Sequence, residues 1–191
     1  MTADDAGVIE ESLTEPERFA VLFDRHSAEI HHYAARRLGG ENADDVVAET
    51  FLAAFRKRFG YDMTRPDARP WLYGIATNAI REHRRGEMRR NRLLARAPDP
   101  GPAESFDDRS AARITAQALQ PRLAAVLARL TAEERDLLLL VAWAELSYEE
   151  AARALGIPVG TVRSRLHRLR AKVRRGLGGI DPTATFEEYP A

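Results

Sequence analysis

Apolar residues recur every three or four positions along almost the whole chain, the spacing that gathers them on one face of an α-helix. No segment alternates apolar and polar residues over the length that a strand needs. Thr14-Glu15-Pro16-Glu17 has the form of a capping box with proline in the first turn, and predicts that the first helix begins there. That helix is expected to end near Gly39-Gly40, and its apolar face consists of Phe19, Leu22, Phe23, Ile30 and Tyr33.

Two further helices complete a predicted N-terminal bundle of roughly residues 14–96. Asn42 or Asp44 is a suitable N-cap for the second helix, which is expected to run to about Phe59. The third helix is expected to start around residues 67–69, where Pro70 is tolerated because it falls in the first turn. The apolar positions of these two helices are Val46, Val47, Phe51, Leu52, Phe55, Trp71, Leu72, Ile75, Ala76 and Ile80.

A change of composition after residue 96 predicts a boundary between two domains. Residues 97–110 read "APDPGPAESFDDRS", and three prolines, one glycine and four acids do not supply enough apolar surface to fold alone. We therefore predict a flexible linker over residues 97–111 and a second helical domain over residues 112–177, followed by a tail at 178–191. The fold class is predicted to be all-α, with two small helical domains.

The second domain contains the pattern of a helix-turn-helix. Two capping boxes are present, at Thr131-Ala-Glu-Glu134 and at Ser147-Tyr-Glu-Glu150. The first predicts the start of a helix through Leu137, and the second predicts the start of a short helix that ends at Leu155. Gly156 suits the left-handed turn, and Pro158 suits the first residue of the last helix. The buried stripe of that last helix is predicted to be Val159, Val162, Leu166 and Leu169.

Charge is segregated along a chain that is neutral overall, with 29 basic and 29 acidic residues. Seven arginines lie between residues 81 and 96, and seven bases with no acid lie between residues 158 and 175. Two basic segments indicate a polyanion bound at two places. For the last helix, one interpretation is a basic surface that only contacts solvent. In the DNA-binding interpretation, the helix contacts DNA through Thr161, Arg163, Ser164, His167, Arg168 and Lys172.

Several classes of function are disfavoured by what the sequence lacks. There is no cysteine, so thiolate catalysis, disulfides and cysteine-ligated zinc are excluded. No apolar run is long enough to span a membrane and no secretory signal is visible, so we expect a cytoplasmic protein without membrane contact. Asp44, Asp45 and Glu49 form a DDxxxE pattern that suggests a magnesium site, and His31-His32 suggests a metal, but neither has the further ligands such sites need.

Three segments resemble, in order and spacing, the extracytoplasmic-function (ECF) subfamily of bacterial RNA polymerase sigma factors. "DDVVAETFLAAFRKR" is similar to their polymerase-docking tract, and "RPWLYGIATNAIREHRR" to the part that melts and reads promoter DNA. "ELSYEEAARALGIPVGTVRSRLHRLRAKVR" is similar to their fourth conserved region, which reads the upstream, minus 35 element. The chain departs from the family at Ala48, where glutamine is usual.

The resemblance implies roles for named residues and a set of partners. Core RNA polymerase, promoter DNA and an anti-sigma factor are the implied partners, whereas catalysis, a cofactor, a metal and a small-molecule substrate are not implied. Polymerase is expected to contact Asp45, Glu49 and Leu52, and the downstream, minus 10 element is expected to contact Tyr61, Asn78, Arg81, Arg84 and Arg85. There are two competing interpretations. One is a DNA-binding response regulator, which would have an upstream receiver domain that this sequence does not show. The other is an adaptor that binds polymerase without reading DNA.

Overall fold

The computed structural model describes residues 4–94, with side chains up to residue 90, and residues 124–176. The chain divides into two compact units, one built around each of these ranges. Every regular element in both ranges is helical, so the all-α prediction is confirmed for the described residues. The predicted linker at 97–111 and the predicted tail at 178–191 lie outside them. No helix in either range is long and apolar enough to cross a bilayer.

The N-terminal unit consists of four α-helices joined by short connections. Each of the three connections contains one 3-10 turn, at Pro16–Phe19, Gly40–Asn42 and Arg58–Gly60. The α-helices are α1 (Asp5–Thr14), α2 (Ala20–Leu38), α3 (Ala43–Lys57) and α4 (Arg69–Leu94).

The prediction for the start of this unit was wrong, because helix α1 precedes residue 14. Asp4 caps α1 by accepting a hydrogen bond from the Gly7 amide at 2.8 Å. Thr14 ends the helix, and Glu15 provides no side-chain cap for the 3-10 turn that follows, so the expected capping box does not form. Helix α1 has a short apolar face and many acids, and its stability therefore comes from packing more than from its own pattern.

Aromatic pairs join the helices of the N-terminal unit. Tyr33 of α2 meets Tyr73 of α4 edge to face, with ring centroids 5.1 Å apart. Phe23 of α2 meets Phe51 of α3 in the same way at 4.9 Å. Edge-to-face pairs at this spacing add to the free energy gained by burial, which is why these rings fix how α2, α3 and α4 pack.

The C-terminal unit has a short helical stretch at residues 124–128, followed by α5 (Ala132–Ala142), α6 (Tyr148–Leu155) and α7 (Val159–Gly176). Both predicted capping boxes are present: Thr131 and Glu134 bond each other's backbone amides, as do Ser147 and Glu150. Helix α7 begins at Val159 and not at Pro158, whose carbonyl accepts the amide of Val162 at 3.2 Å.

Helices α6 and α7 form the predicted helix-turn-helix. Gly156 adopts φ 64°, the left-handed conformation that favours glycine. The buried stripe of α7 is shifted by one turn from the prediction, because Val159 is only half-buried and Val173 is buried. The buried side chains of this unit include Leu137 and Leu140 of α5 and Val162, Leu166 and Leu169 of α7.

Candidate nucleic-acid and polymerase interface

The outer face of α7 carries the side chains expected to read DNA. Arg163, Ser164, His167 and Arg168 are all exposed, opposite the buried stripe. Their spacing of one and four residues places them on one surface near the start of the helix, which is the part of a recognition helix that reaches base edges. These four side chains therefore form one exposed polar surface near the start of α7, and its reading of DNA stays a prediction.

The contacts that hold these side chains are weak enough to be exchanged for a ligand. Arg163 pairs with Glu149 of α6 at 3.2 Å, but the two side chains are 63% and 55% exposed. An exposed ion pair contributes about 1 kcal/mol or less. Arg168 donates from Nε to the Ser164 carbonyl at 3.3 Å, one turn earlier on the same helix.

Two other residues of the C-terminal unit that are predicted to contact DNA are half-buried or bonded within the protein. Thr161 is half-buried, and its carbonyl accepts the hydroxyl of Ser164. Lys172 donates from Nζ to Glu134 at 2.7 Å and to the Arg129 carbonyl at 3.0 Å. The hydrogen bond from Lys172 lowers the pKa of Glu134. Lys172 therefore ties α7 to the start of α5.

Tyr61 lies inside the loop before α4 and not on its surface. The side chain is 8% exposed, and its ring meets Trp71 edge to face at 4.9 Å. Its hydroxyl donates to the carbonyls of Arg65, at 2.8 Å, and Asp67, at 3.2 Å. Burial raises the pKa of Tyr61 to about 12. Tyr61 shapes the loop, and the exposed aromatic ring nearby is Phe59, which is 68% exposed.

Helix α4 presents a polar edge that continues from this loop. Asn78 is exposed and lies one turn beyond Ile75 and two turns beyond Trp71, the ring that contacts the loop. Arg85 is exposed, whereas Arg81 and Arg84 are half-buried. Arg84 donates to the Arg37 carbonyl at the end of α2, so its guanidinium also serves the fold.

A mixed acidic and apolar surface lies on α3. Asp45, Glu49 and Leu52 are spaced by four and three residues and are all exposed, with Leu52 at 51%. Glu49 accepts a hydrogen bond from His83 of α4 at 3.3 Å. Ala48 is exposed between the acids, which places the departure from the family pattern on this same surface. We call Asp45, Glu49 and Leu52 the α3 surface.

A buried polar cluster in the N-terminal unit was not foreseen from the sequence. Asp5 of α1 accepts hydrogen bonds from Arg25 at 2.9 Å and from His26 at 2.8 Å. Glu29 accepts from Arg69 at 2.6 Å and from Tyr73 at 2.7 Å. These partners are 20 to 44 residues apart in sequence, so no local pattern connects them.

Hydrogen bonding decides the protonation state of this cluster. Burial by itself would raise the pKa values of Asp5 and Glu29. The hydrogen bond from His26 lowers the pKa of Asp5 to about 2, and the nearby His26 with the bonds from Arg69 and Tyr73 lowers the pKa of Glu29 to about 2. Burial by itself would lower the pKa of His26, but its hydrogen bond to Asp5 and the nearby Glu29 carboxylate, 4.0 Å away, raise it to about 9. At neutral pH the cluster therefore contains two carboxylates and an imidazolium.

The acidic and histidine patterns do not assemble into a metal site. His31 lies 3.4 Å from Asp44, and the third acid of the DDxxxE pattern, Glu49, pairs with His83. Within residues 4–90 and 124–176, no three His, Asp or Glu side chains are grouped so that they would hold a metal ion. The geometry gives the magnesium interpretation no support.

Comparisons with known proteins match the two units separately. The family described as Sigma-70 region 2 matches residues 22–90, and the family described as Sigma-70, region 4 matches residues 121–173. The ECF RNA polymerase sigma factor SigL of Mycobacterium tuberculosis is 35% identical over 147 residues, which cover 76% of this chain and 81% of that protein. RNA polymerase sigma factor NccH of Alcaligenes xylosoxydans xylosoxydans is 33% identical and covers 81% and 84%.

Solved structures give the same answer at the level of the fold. CnrH, solved in complex with the cytosolic domain of CnrY, matches with a TM-score of 0.62 at 29% identity, covering 91% of this chain and 97% of that chain. The sigma factor RpoE of Bartonella quintana, solved with the anti-sigma factor NepR, matches with a TM-score of 0.61 at 23% identity, covering 84% and 96%. Both family models and the sequence relatives, which align over most of their own length, indicate the same family. The chain belongs to the ECF RNA polymerase sigma factors.

Proposed function

We propose that the chain binds core RNA polymerase through the α3 surface and directs it to promoters. Helix α7 reads the minus 35 element of these promoters, and the loop before α4 reads the minus 10 element together with α4. Polymerase supplies the catalysis, and the chain supplies binding. It works in the cytoplasm, where polymerase and chromosome meet. The observation that carries this proposal is the outer face of α7, where Arg163, Ser164 and Arg168 are exposed on a well-packed recognition helix.

The chemistry of this face suits base recognition. A guanidinium matches the two acceptors of guanine, and one such contact contributes about 1–3 kcal/mol of discrimination against the wrong base. Arg163 and Arg168 lie on the side of α7 opposite Val162, Leu166 and Leu169, so the helix can enter a groove without uncovering its core.

The test of minus 35 reading compares two arginines on the same helix. Arg168→Ala is expected to lower the preference for the cognate promoter over a mutated minus 35 element by about tenfold or more. Arg175→Ala, in the exposed last turn, is expected to weaken both promoters to the same extent, as loss of a phosphate contact does. Run-off transcription with purified core polymerase on both templates gives the ratio. An unchanged ratio for Arg168→Ala would remove α7 as the reading element.

Polymerase docking is assigned to the α3 surface because its two acids are exposed and lie next to an exposed leucine. Acidic side chains suit a basic partner surface, and charge reversal at such a contact costs several kcal/mol. Asp45→Lys with Glu49→Lys is expected to abolish core binding in a fluorescence-anisotropy titration. Glu10→Lys, at an exposed position on α1, is the control and is expected to bind normally. Equal affinity for both proteins would place docking elsewhere.

An inhibitory protein that covers the α3 surface is part of the proposal. CnrH, at 29% identity, was solved with the cytosolic domain of CnrY bound. Exposed Leu52 and Phe23, at 51% and 43%, would leave water on binding such a partner. An anti-sigma factor for this chain is expected to compete with core polymerase in a titration. Simultaneous binding of both would contradict a shared surface.

A further inference from the structure

Helix α1 contacts both ends of the segment that joins α3 to α4. At one end, the Asp5 amide donates to the Pro66 carbonyl at 3.1 Å, and the Ala68 amide donates to the Asp5 carboxylate at 3.1 Å. At the other end, Arg58 donates from Nε to the Ser12 carbonyl at 3.3 Å. Helix α1 is therefore bonded to the connection at Arg58, Pro66 and Ala68.

The Asp5 carboxylate is the strongest of these attachments. Its side chain is 10% exposed and accepts from three donors on two other segments: Arg25 and His26 of α2, and the amide of Ala68 just before α4. Hydrogen bonds to a buried carboxylate are roughly twice as strong as those between neutral groups. One side chain thus links α1, α2 and the end of the loop.

The remaining bonds of the loop set its shape but do not attach it to α1. Asp62 accepts from the Thr64 hydroxyl at 2.6 Å and from Arg65 at 2.7 Å, both within the loop. Tyr61 closes the loop through its bonds to Arg65 and Asp67. A loop with these internal bonds keeps its conformation, whereas the attachment of its last residues to α1 comes from the carboxylate and the amide of Asp5.

We infer that Asp5 is a positioning residue for promoter opening: by holding Pro66 and Ala68, it keeps the Tyr61–Ala68 loop in the place from which the loop and Asn78 engage the minus 10 element. This inference rests on the proposed function of that loop. A loop held in place before binding does not lose further conformational entropy when an unstacked base enters, so the contact is stronger. Asp5 itself touches no DNA.

Hydrogen exchange measures the holding of the loop directly. Asp5→Asn keeps the shape of the side chain but removes its charge, and Glu10→Gln makes the same change at an exposed position of the same helix. Losing the charged acceptor is expected to speed exchange in a peptide covering residues 61–69 by about tenfold or more, with α3 peptides unchanged. Glu10→Gln is expected to match the wild type. Unchanged exchange at 61–69, or equal acceleration in α3, would overturn the inference.

Promoter opening gives the functional readout. With core polymerase bound, the fluorescence of 2-aminopurine placed in the minus 10 element measures the rate of opening. Two templates are compared: a promoter that the wild type opens, and a promoter with a single-base change in its minus 10 element. Asp5→Asn is expected to reduce the ratio of the two rates by about tenfold at unchanged core affinity. A merely destabilised protein would slow both templates equally and leave the ratio intact, which would refute positioning.

Two further results separate the possible failures. If the wild type with core opens no promoter, the proposed function fails, and exchange at 61–69 still decides whether Asp5 holds the loop. If Asp5→Asn lacks cooperative unfolding, Asp5→Glu takes its place under the same criteria, because it retains the charge that faces Arg25 and His26 and displaces the oxygen that binds Ala68. Wild-type exchange and a wild-type rate ratio in a folded Asp5→Glu would then overturn the inference.

Discussion

His26 makes the stability of the N-terminal unit depend on pH in a defined window. Its imidazole is bonded to Asp5 at 2.8 Å and lies 4.0 Å from Glu29, and these carboxyls also face Arg25 and Arg69. The pKa of His26 is raised from 6.5 to about 9. A raised pKa means that the stabilisation is fully present below pH 6.5 and is lost as the pH rises through 9.

The size of the effect follows from the two pKa values. A tenfold change in proton affinity corresponds to about 1.4 kcal/mol, so the difference between 6.5 and about 9 corresponds to roughly 3 kcal/mol. This is a large part of the total stability of a small domain, which is about 5–15 kcal/mol. The free energy of unfolding should therefore decline by about 1.4 kcal/mol per pH unit in the middle of the window.

Urea titrations at a series of pH values measure this decline. The two tryptophans lie in different units, so Trp143→Phe leaves Trp71 as a reporter of the N-terminal unit. The difference in unfolding free energy between this protein and its His26→Gln variant is expected to shrink by roughly 3 kcal/mol from pH 6 to pH 9.5. His32→Gln, an exposed histidine on the same helix, is the control. A His26→Gln difference that is constant over this range would refute the charged cluster.

Three other substitutions test further parts of the structure. Tyr73→Phe removes the 2.7 Å bond to Glu29 and is expected to cost about 1.5–3 kcal/mol in the Trp71-monitored unfolding, where a neutral result would contradict the bond. In Gly156→Ala the added Cβ meets no described atom within 4 Å, but alanine has to adopt the left-handed φ of 64°. Backbone strain alone is therefore expected to lower the free energy of unfolding, measured by calorimetry, by about 1–2 kcal/mol. Lys172→Met is expected to destabilise the C-terminal unit by about 1 kcal/mol or less while leaving minus 35 discrimination intact; a loss of discrimination like that of Arg168→Ala would make Lys172 a reading residue.

Much of the C-terminal unit could be predicted because its signals are local. Thr131 and Ser147 each find their capping partner three residues later. Gly156 supplies the turn, and the period of 3.6 residues separates the buried stripe of α7 from Arg163 and Arg168. Interactions within one or two turns are encoded in short sequence windows, so the helix-turn-helix and its outer face followed from the residues.

The N-terminal prediction was weaker where the stabilising partners are distant in sequence. Helix α1 has few apolar residues, and it is held by Asp5, whose bond to Ala68 spans 63 positions. The family resemblance implied a DNA contact for Tyr61, but its ring is buried against Trp71 and its hydroxyl bonds the backbone of its own loop. In both cases the surroundings of the side chain are supplied by other elements.

The sequence by itself determined the all-α class, the helix-turn-helix and the exposed residues of α3 and α7, since helical periodicity, capping and charge are properties of neighbouring residues. Only the tertiary structure decided that Asp5, His26 and Glu29 form one buried charged cluster, that Lys172 ties α7 to α5, and that α1 is bonded to the α3–α4 connection. The physical reason is that desolvation and hydrogen bonding depend on which distant groups become neighbours after folding.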